Sequence, residues 1–281
     1  MLIRAALLLA LALLAEADYD YTGRDYMKDK AERLIFGLWR VADGKIVHDM
    51  IDNALAAGYR TFDTAQGYGN EEYVGQAFKE LLPKHNLTRE DVFITTKVKE
   101  TNQGPLAKGS IEESLKKLQV DYIDLMLIHW PGALPDDPKD PKHNATMRKQ
   151  TWQTMEEFYG QGKLKAIGVS NFLQHHLEDL LSYAKAYACS TRTKDKGRVN
   201  PTYDEAKVEE LAKKYEVSTK TLQFAWILNQ GMSVLTRASS PDHIRANFGA
   251  DNVTMSAEDV NSLKTKEVGT KICLNPAEVI Y

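Results

Sequence analysis

The chain has 281 residues, 43% of them hydrophobic and 27% charged, which is enough to bury a sizeable core in one large α/β domain or two small ones. Net charge is −3 with acidic and basic residues interspersed, and no basic stripe with interleaved aromatics is present, which argues against a nucleic-acid partner. Cys189 and Cys273 are the only cysteines, so a disulfide scaffold is excluded, while one bridge or two buried thiols both remain open.

The leader MLIRAALLLALALLAEA, residues 1–17, places Arg4 before an Ala/Leu run and ends in Ala15-Glu16-Ala17, a small-x-small cleavage pattern. It predicts a secretory signal peptide. The alternative is a short membrane anchor, but eleven apolar residues span only about 16 Å as a helix against a hydrocarbon layer of about 30 Å. No other run reaches membrane-spanning length, so no membrane association is expected after cleavage. Sequons at Asn86, Asn144 and Asn252 agree with a glycoprotein of the ER lumen or the exterior. Chance also produces such matches, and the sparse cysteines by themselves point toward the cytosol. Residues 18–281 are expected to form one domain.

Residues 18–32 are polar and aromatic without periodicity and predict an irregular lead-in. From there the pattern becomes regular. RLIFGLWR (33–40) predicts a strand, GKIVHDMIDNALAAG (44–58) a helix, and YRTFDTA (59–65) a second strand. EEYVGQAFKELL (71–82) predicts a helix, DVFITTKV (91–98) a strand, and KGSIEESLKKLQ (108–119) an amphipathic helix with Ser110 and Glu113 as its capping box. DYIDLMLIHWP (121–131) is nearly all apolar, as a strand buried on both faces should be.

A proline-rich loop is expected over 132–147, then a helix over 148–162, a strand KLKAIGVSN (163–171) and a helix over 172–184. KAYACST (185–191) predicts a short strand abutting that helix. Helices over 204–215 and 218–231, a strand MSVLTRA (232–238), a helix over 241–249 and a short helix near SAEDVNSLKTK complete the series. Regular strand–helix alternation predicts parallel strands with crossover helices. Seven strands are counted, an awkward number for a closed barrel.

Asp63, Lys97 and His129 stand at the C-terminal ends of three successive strands, the edge where active sites of parallel α/β barrels lie, and Tyr68 follows Asp63 in the next loop. Taken singly, each has a plain structural alternative: a helix cap, a solvated strand end, a core histidine, a packing ring. Together they suit proton donation. Tyrosine, with an ordinary pKa of about 10, is a poor acid; a neighbouring ammonium favours the phenolate, an aspartate holds the lysine, and a histidine can orient a carbonyl oxygen. That chemistry fits carbonyl reduction with hydride from a cofactor. GYGNEE lacks the third glycine of a dinucleotide fingerprint. Ser170 and Asn171 at another strand end suit an amide-bearing ring or a helix cap; Arg237, Ser239 and Ser240, ahead of a helix, suit a phosphate or an ordinary capped surface helix.

The segments GYRTFDTAQGYGNEEYVGQAF, ITTKV, LMLIHWPG, GKLKAIGVSNF, HLEDLL and SPDHIRAN resemble, in order, the aldo-keto reductases. The resemblance implies a (β/α)8 TIM-type barrel in which NADPH reduces aldehydes or ketones, a small-molecule carbonyl substrate and a monomer. It implies Tyr68 as general acid, Asp63 and Lys97 as its tuning pair, and His129 as the residue orienting the carbonyl. It further implies Ser170 and Asn171 at the nicotinamide carboxamide, Tyr187 stacked on the ring, Trp39 lining the substrate pocket, and Arg237, Ser239 and Asn247 near the cofactor phosphate. The sixth strand–helix unit of the family has no counterpart at the Ala184–Lys185 seam. At the phosphate, Ala238, His243 and Ala246 depart from the family pattern, which predicts a weaker grip. The alternative to an active reductase is an impaired or inactive relative that binds without catalysing.

Overall fold

A computed structural model describes residues 22–133, 141–185, 189–190 and 205–263. In chain order its elements are α1 (Thr22–Lys30), β1 (Leu34–Gly37), α2 (Gly44–Ala57), β2 (Thr61–Asp63), α3 (Glu71–Lys84), β3 (Phe93–Val98), α4 (Ala107–Leu118), β4 (Ile123–Ile128), α5 (Pro141–Gly160), β5 (Leu164–Val169) and α6 (Gln174–Leu181). Then follow β6 (Cys189–Ser190), α7 (Glu205–Lys214), α8 (Thr219–Leu228), β7 (Val234–Thr236), α9 (Pro241–Phe248) and α10 (Ala257–Ser262). The expected signal peptide, residues 134–140 of the expected proline-rich loop, Tyr187 and Cys273 lie outside the described residues.

Local chemistry accounts for the helix boundaries. Asp43 caps α2 by accepting from the Ile46 amide, and Gly58 ends it in the left-handed region at φ 109°. Between these caps Val47, Met50, Ile51, Ala54 and Leu55 recur at helical spacing and are buried. Helices α3 and α4 approach closely at Gly75, where an added Cβ would lie 2.3 Å from the Lys117 carbonyl oxygen. Any larger residue there must push the two helices apart.

Seven strands form one sheet in the order β6-β5-β4-β3-β2-β1-β7, every pair parallel. Each strand through β6 adds beside its predecessor, and β7 returns to the far side of β1, the step by which a sheet rolls toward a barrel. Among the described residues β6 and β7 remain its two ends. Alternation along the strands gives the sheet two apolar faces. Phe36, Phe62, Ile94, Met126 and Ile167 pack with the helices in the main core, whereas Phe93, Leu125, Leu127 and Ala166 form a second cluster on the other face.

Three expectations are corrected. Residues 18–32 are not wholly irregular: α1 forms, and Tyr26, Met27 and Ala31 cover the inner cluster of β3, β4 and β5. The Tyr26 hydroxyl donates to Asp124 at 2.5 Å. So few apolar contacts, reinforced by a polar anchor, leave no periodic signature. Helix α5 starts at Pro141 rather than residue 148, because proline is well suited to the first helical position. Ser110 caps nothing at the start of α4: that helix begins at Ala107, continuing a 3-10 turn over Gly104–Leu106, and the Ser110 hydroxyl donates to the Ala107 carbonyl at 3.0 Å.

Candidate active site

Strand register brings the predicted residues together. Asp63 lies opposite Thr95, and Lys97 is two residues further on β3, hence on the same face. Lys97 lies opposite Leu127, and His129 follows two residues beyond. Leu127 in turn pairs with Gly168, two residues before Ser170. Asp63, Lys97, His129 and Ser170 therefore climb the inner face of the sheet at its C-terminal edge.

The centre of the group is an ion pair. The Lys97 ammonium donates to both Asp63 carboxylate oxygens at 2.8 and 2.7 Å, to the Thr64 carbonyl at 2.7 Å and to the Tyr68 hydroxyl oxygen at 3.2 Å. Lys97 is 5% exposed and Asp63 7%, so both charges are desolvated and depend on each other. Burial works against the Lys97 ammonium, but the negative charge of Asp63, aided by Tyr68, outweighs it and holds its pKa above the ordinary lysine value. Burial also lifts the Asp63 carboxyl while Lys97 opposes that lift. The lysine is thus a fixed cation beside a half-buried phenol.

Tyr68 sits in a 3-10 turn, Gln66–Tyr68, that Gly69 closes at φ 68°. Two amide side chains pin that turn. Asn70, fully buried, donates to the Leu38 and Val41 carbonyls at 2.9 and 2.8 Å and accepts from the Thr64 hydroxyl at 2.6 Å. Gln66 donates to Ser110 and Ser114 and accepts from the Lys99 amide and Asn102. Neither residue is among the candidates that the sequence singles out, although Asn70 stands inside the segment GYRTFDTAQGYGNEEYVGQAF that carries the resemblance.

His129 packs edge-on to the Tyr68 ring, centroids 5.7 Å apart. Burial, then the nearby Lys97 charge, pushes its pKa down to about 3. The ring is therefore neutral at physiological pH and can donate a hydrogen bond without carrying charge. Trp39, in the loop after β1, is 36% exposed beneath the Arg40 guanidinium, 4.3 Å from its ring centroid. The Leu38 amide donates to the Asp63 carbonyl, so this loop borders the site.

Asn171 adopts φ 63° and donates through its amide nitrogen to the His129 carbonyl at 2.9 Å and to the Ser170 hydroxyl at 3.2 Å. Its carbonyl end and the Ser170 hydroxyl are suited to a carboxamide. Arg237 and Ser239 are exposed ahead of α9, which suits an anionic phosphate. Ser240 is the N-cap of that helix, its hydroxyl accepting from the His243 amide at 3.2 Å. Asn247, on α9, is buried at 6% exposure. The donors present fit a phosphorylated nicotinamide nucleotide at these two places.

The sequence pattern of the Aldo/keto reductase family matches residues 33–192 and 186–267, two stretches that meet and overlap near the expected seam. Glyoxal reductase of Bacillus subtilis is 30% identical over 270 residues, covering 87% of this chain and 92% of that protein. Among solved structures, an aldo-keto reductase from a deep-sea metagenome library of the Medee basin is 30% identical with a TM-score of 0.75, over 89% of this chain and 96% of that one. The Bombyx mori aldo-keto reductase in complex with NADP is 26% identical with a TM-score of 0.71, over 82% of this chain and 87% of that one.

Proposed function

The chain belongs to the aldo/keto reductase family, and from that premise we propose that it reduces small aldehydes or ketones to alcohols with hydride from NADPH. One observation carries the reading. The Lys97 ammonium bridges Asp63 and the Tyr68 hydroxyl, beside a neutral histidine.

When bound, the reduced nicotinamide supplies hydride to the carbonyl carbon. Tyr68 gives its hydroxyl proton to the carbonyl oxygen as negative charge grows there. The Lys97 ammonium, 3.2 Å from the phenol oxygen, stabilises the phenolate left behind. Asp63 keeps that ammonium charged and aimed. Neutral His129 donates to the same substrate oxygen and fixes its orientation. Ser170 and Asn171 would hold the carboxamide, and Arg237 with Ser239 the phosphate; Trp39 walls the substrate side.

The leader over residues 1–17 supports a secreted or ER-lumenal location, and we read the protein as a monomeric glycoprotein there. A second reading, a relative that has lost catalysis, draws on the sheet ending at β6 and β7 among the described residues. Fluorescence titration of the purified full chain with NADPH and NADH, followed by an assay of aldehyde-dependent NADPH oxidation, separates them. Saturable binding of NADPH is expected; absence of saturable binding of either nucleotide would sink the reductase reading.

A further inference from the structure

Beside the catalytic group lies a carboxyl to which the mechanism assigns no part. Glu100 opens the 3-10 turn Glu100–Asn102 after β3. Its Oε1 is 3.5 Å from His129 Nδ1, and both side chains are largely buried, at 21% and 14% exposure. That nitrogen is buried and makes no hydrogen bond. Leaving a buried polar atom unpaired costs about 1–3 kcal/mol, so closing the small gap to Glu100 is favourable, and hydrogen bonds of catalytic groups commonly tighten once substrate is present. The turn is held from both sides: the Lys99 amide and the Asn102 side chain each donate to Gln66 Oε1 at 2.9 Å. Gln66 thereby fixes Glu100 and the Tyr68 turn together.

We infer that Glu100 is a positioning residue that decides which ring nitrogen of His129 carries the proton. The functional consequence rests on the reductase reading; the tautomer itself does not. A neutral imidazole has one N–H. To donate to a carbonyl oxygen, His129 must carry it on Nε2, so Nδ1 must be a bare acceptor facing a donor. Glu100 as a carboxylic acid is that donor. As a carboxylate it accepts instead, drawing the proton to Nδ1 and leaving Nε2 with a lone pair that repels the substrate oxygen. One proton leaves the pair in this change, and the ring stays neutral throughout.

The surrounding groups favour such a switch over formation of an imidazolium. Lys97 on β3 faces the ring and opposes its protonation, with Asp63 behind that lysine and the Tyr68 ring edge on the adjacent turn. Burial lifts the Glu100 carboxyl above its ordinary range, while its own backbone amide and Lys99 pull it down. The acid form therefore persists to higher pH than in an exposed glutamate.

The test uses the full chain labelled with 15N in its histidine rings, His129 being assigned by difference from His129→Asn, and follows the ring nitrogens from about pH 4, near the ordinary glutamate pKa, to about 8.5. In the wild type the proton is expected on Nε2 at the acid end and on Nδ1 at the alkaline end. In Glu100→Gln the carboxamide has no proton to lose in this range, so the tautomer of His129 is expected to stay the same at every pH. If the wild type shows no change of tautomer, or if Glu100→Gln changes as the wild type does, the inference is overturned. Where turnover is measurable, kcat of the wild type should fall about tenfold or more across the transition and that of Glu100→Gln should not. A tautomer switch without NADPH binding would sink the reductase reading while leaving this one standing; NADPH-dependent turnover with a pH-independent tautomer would do the reverse.

Discussion

Lys97 touches three groups at once, and removing it should show how far the site depends on it. Lys97→Met leaves the Asp63 carboxylate buried without a counter-charge, and breaking a buried pair in this way costs about 3–5 kcal/mol. Urea denaturation should register that loss, and the deficit should shrink as acid neutralises Asp63. An unchanged denaturation midpoint would mean that the pair contributes nothing. At this scale the sequence was informative where strand-end position alone decides the outcome: Asp63, Lys97 and His129 all stand where alternation and register require. Gln66 and Glu100 were illegible because their roles arise from contacts across the fold, as when Gln66 accepts from the Lys99 amide and the Asn102 side chain.

Helix α6 offers a pH test. His176 is fully buried, its Nδ1 accepting from the Leu173 amide at 2.9 Å at the helix start. Burial first, with the charges of Arg148 and His175 adding to it, pushes its pKa from 6.5 down to about 3. Unfolded, this histidine takes up a proton as pH falls below about 6.5; folded, it resists until about 3. Its contribution to stability is therefore complete above that window and lost as pH falls through it. His176→Asn retains an acceptor for the Leu173 amide and removes the titration. Its unfolding free energy, measured in urea, should have a shallower pH slope in this window, by up to about 1.4 kcal/mol per pH unit; parallel slopes would refute the assignment. Most elements were readable from hydrophobic period and caps, α2 with Asp43 and Gly58 being clearest. Helix α1 was not, because it is held by Tyr26, Met27 and the bond to Asp124 rather than by a periodic face.

At the scale of the whole molecule, the parallel order and inward-facing site followed from the strand–helix alternation, while the ends of the sheet did not. Leu235 on β7 turns away from buried Val234 and Thr236 and is 49% exposed, as befits an inner-face residue on a strand paired only with β1 among the described residues. The proposed secretory route has its own test at this scale. Asn86 and Asn252 are exposed, but Asn144 is fully buried, its side-chain oxygen accepting from the Ala133 amide at 3.0 Å. Protein secreted from eukaryotic cells should carry glycans on Asn86 or Asn252 and none on Asn144, as read by mass spectrometry of glycopeptides; a folded product glycosylated at Asn144 would contradict the structure. The proposed reduction rests on Tyr68, tuned by Lys97 and Asp63, protonating a carbonyl oxygen. Aldehyde-dependent oxidation of NADPH by the wild type and Tyr68→Phe tests it most directly. The variant is expected to lose about 10²–10⁴-fold in kcat while NADPH affinity is unchanged; a variant that keeps wild-type turnover would contradict the role of Tyr68 as proton donor.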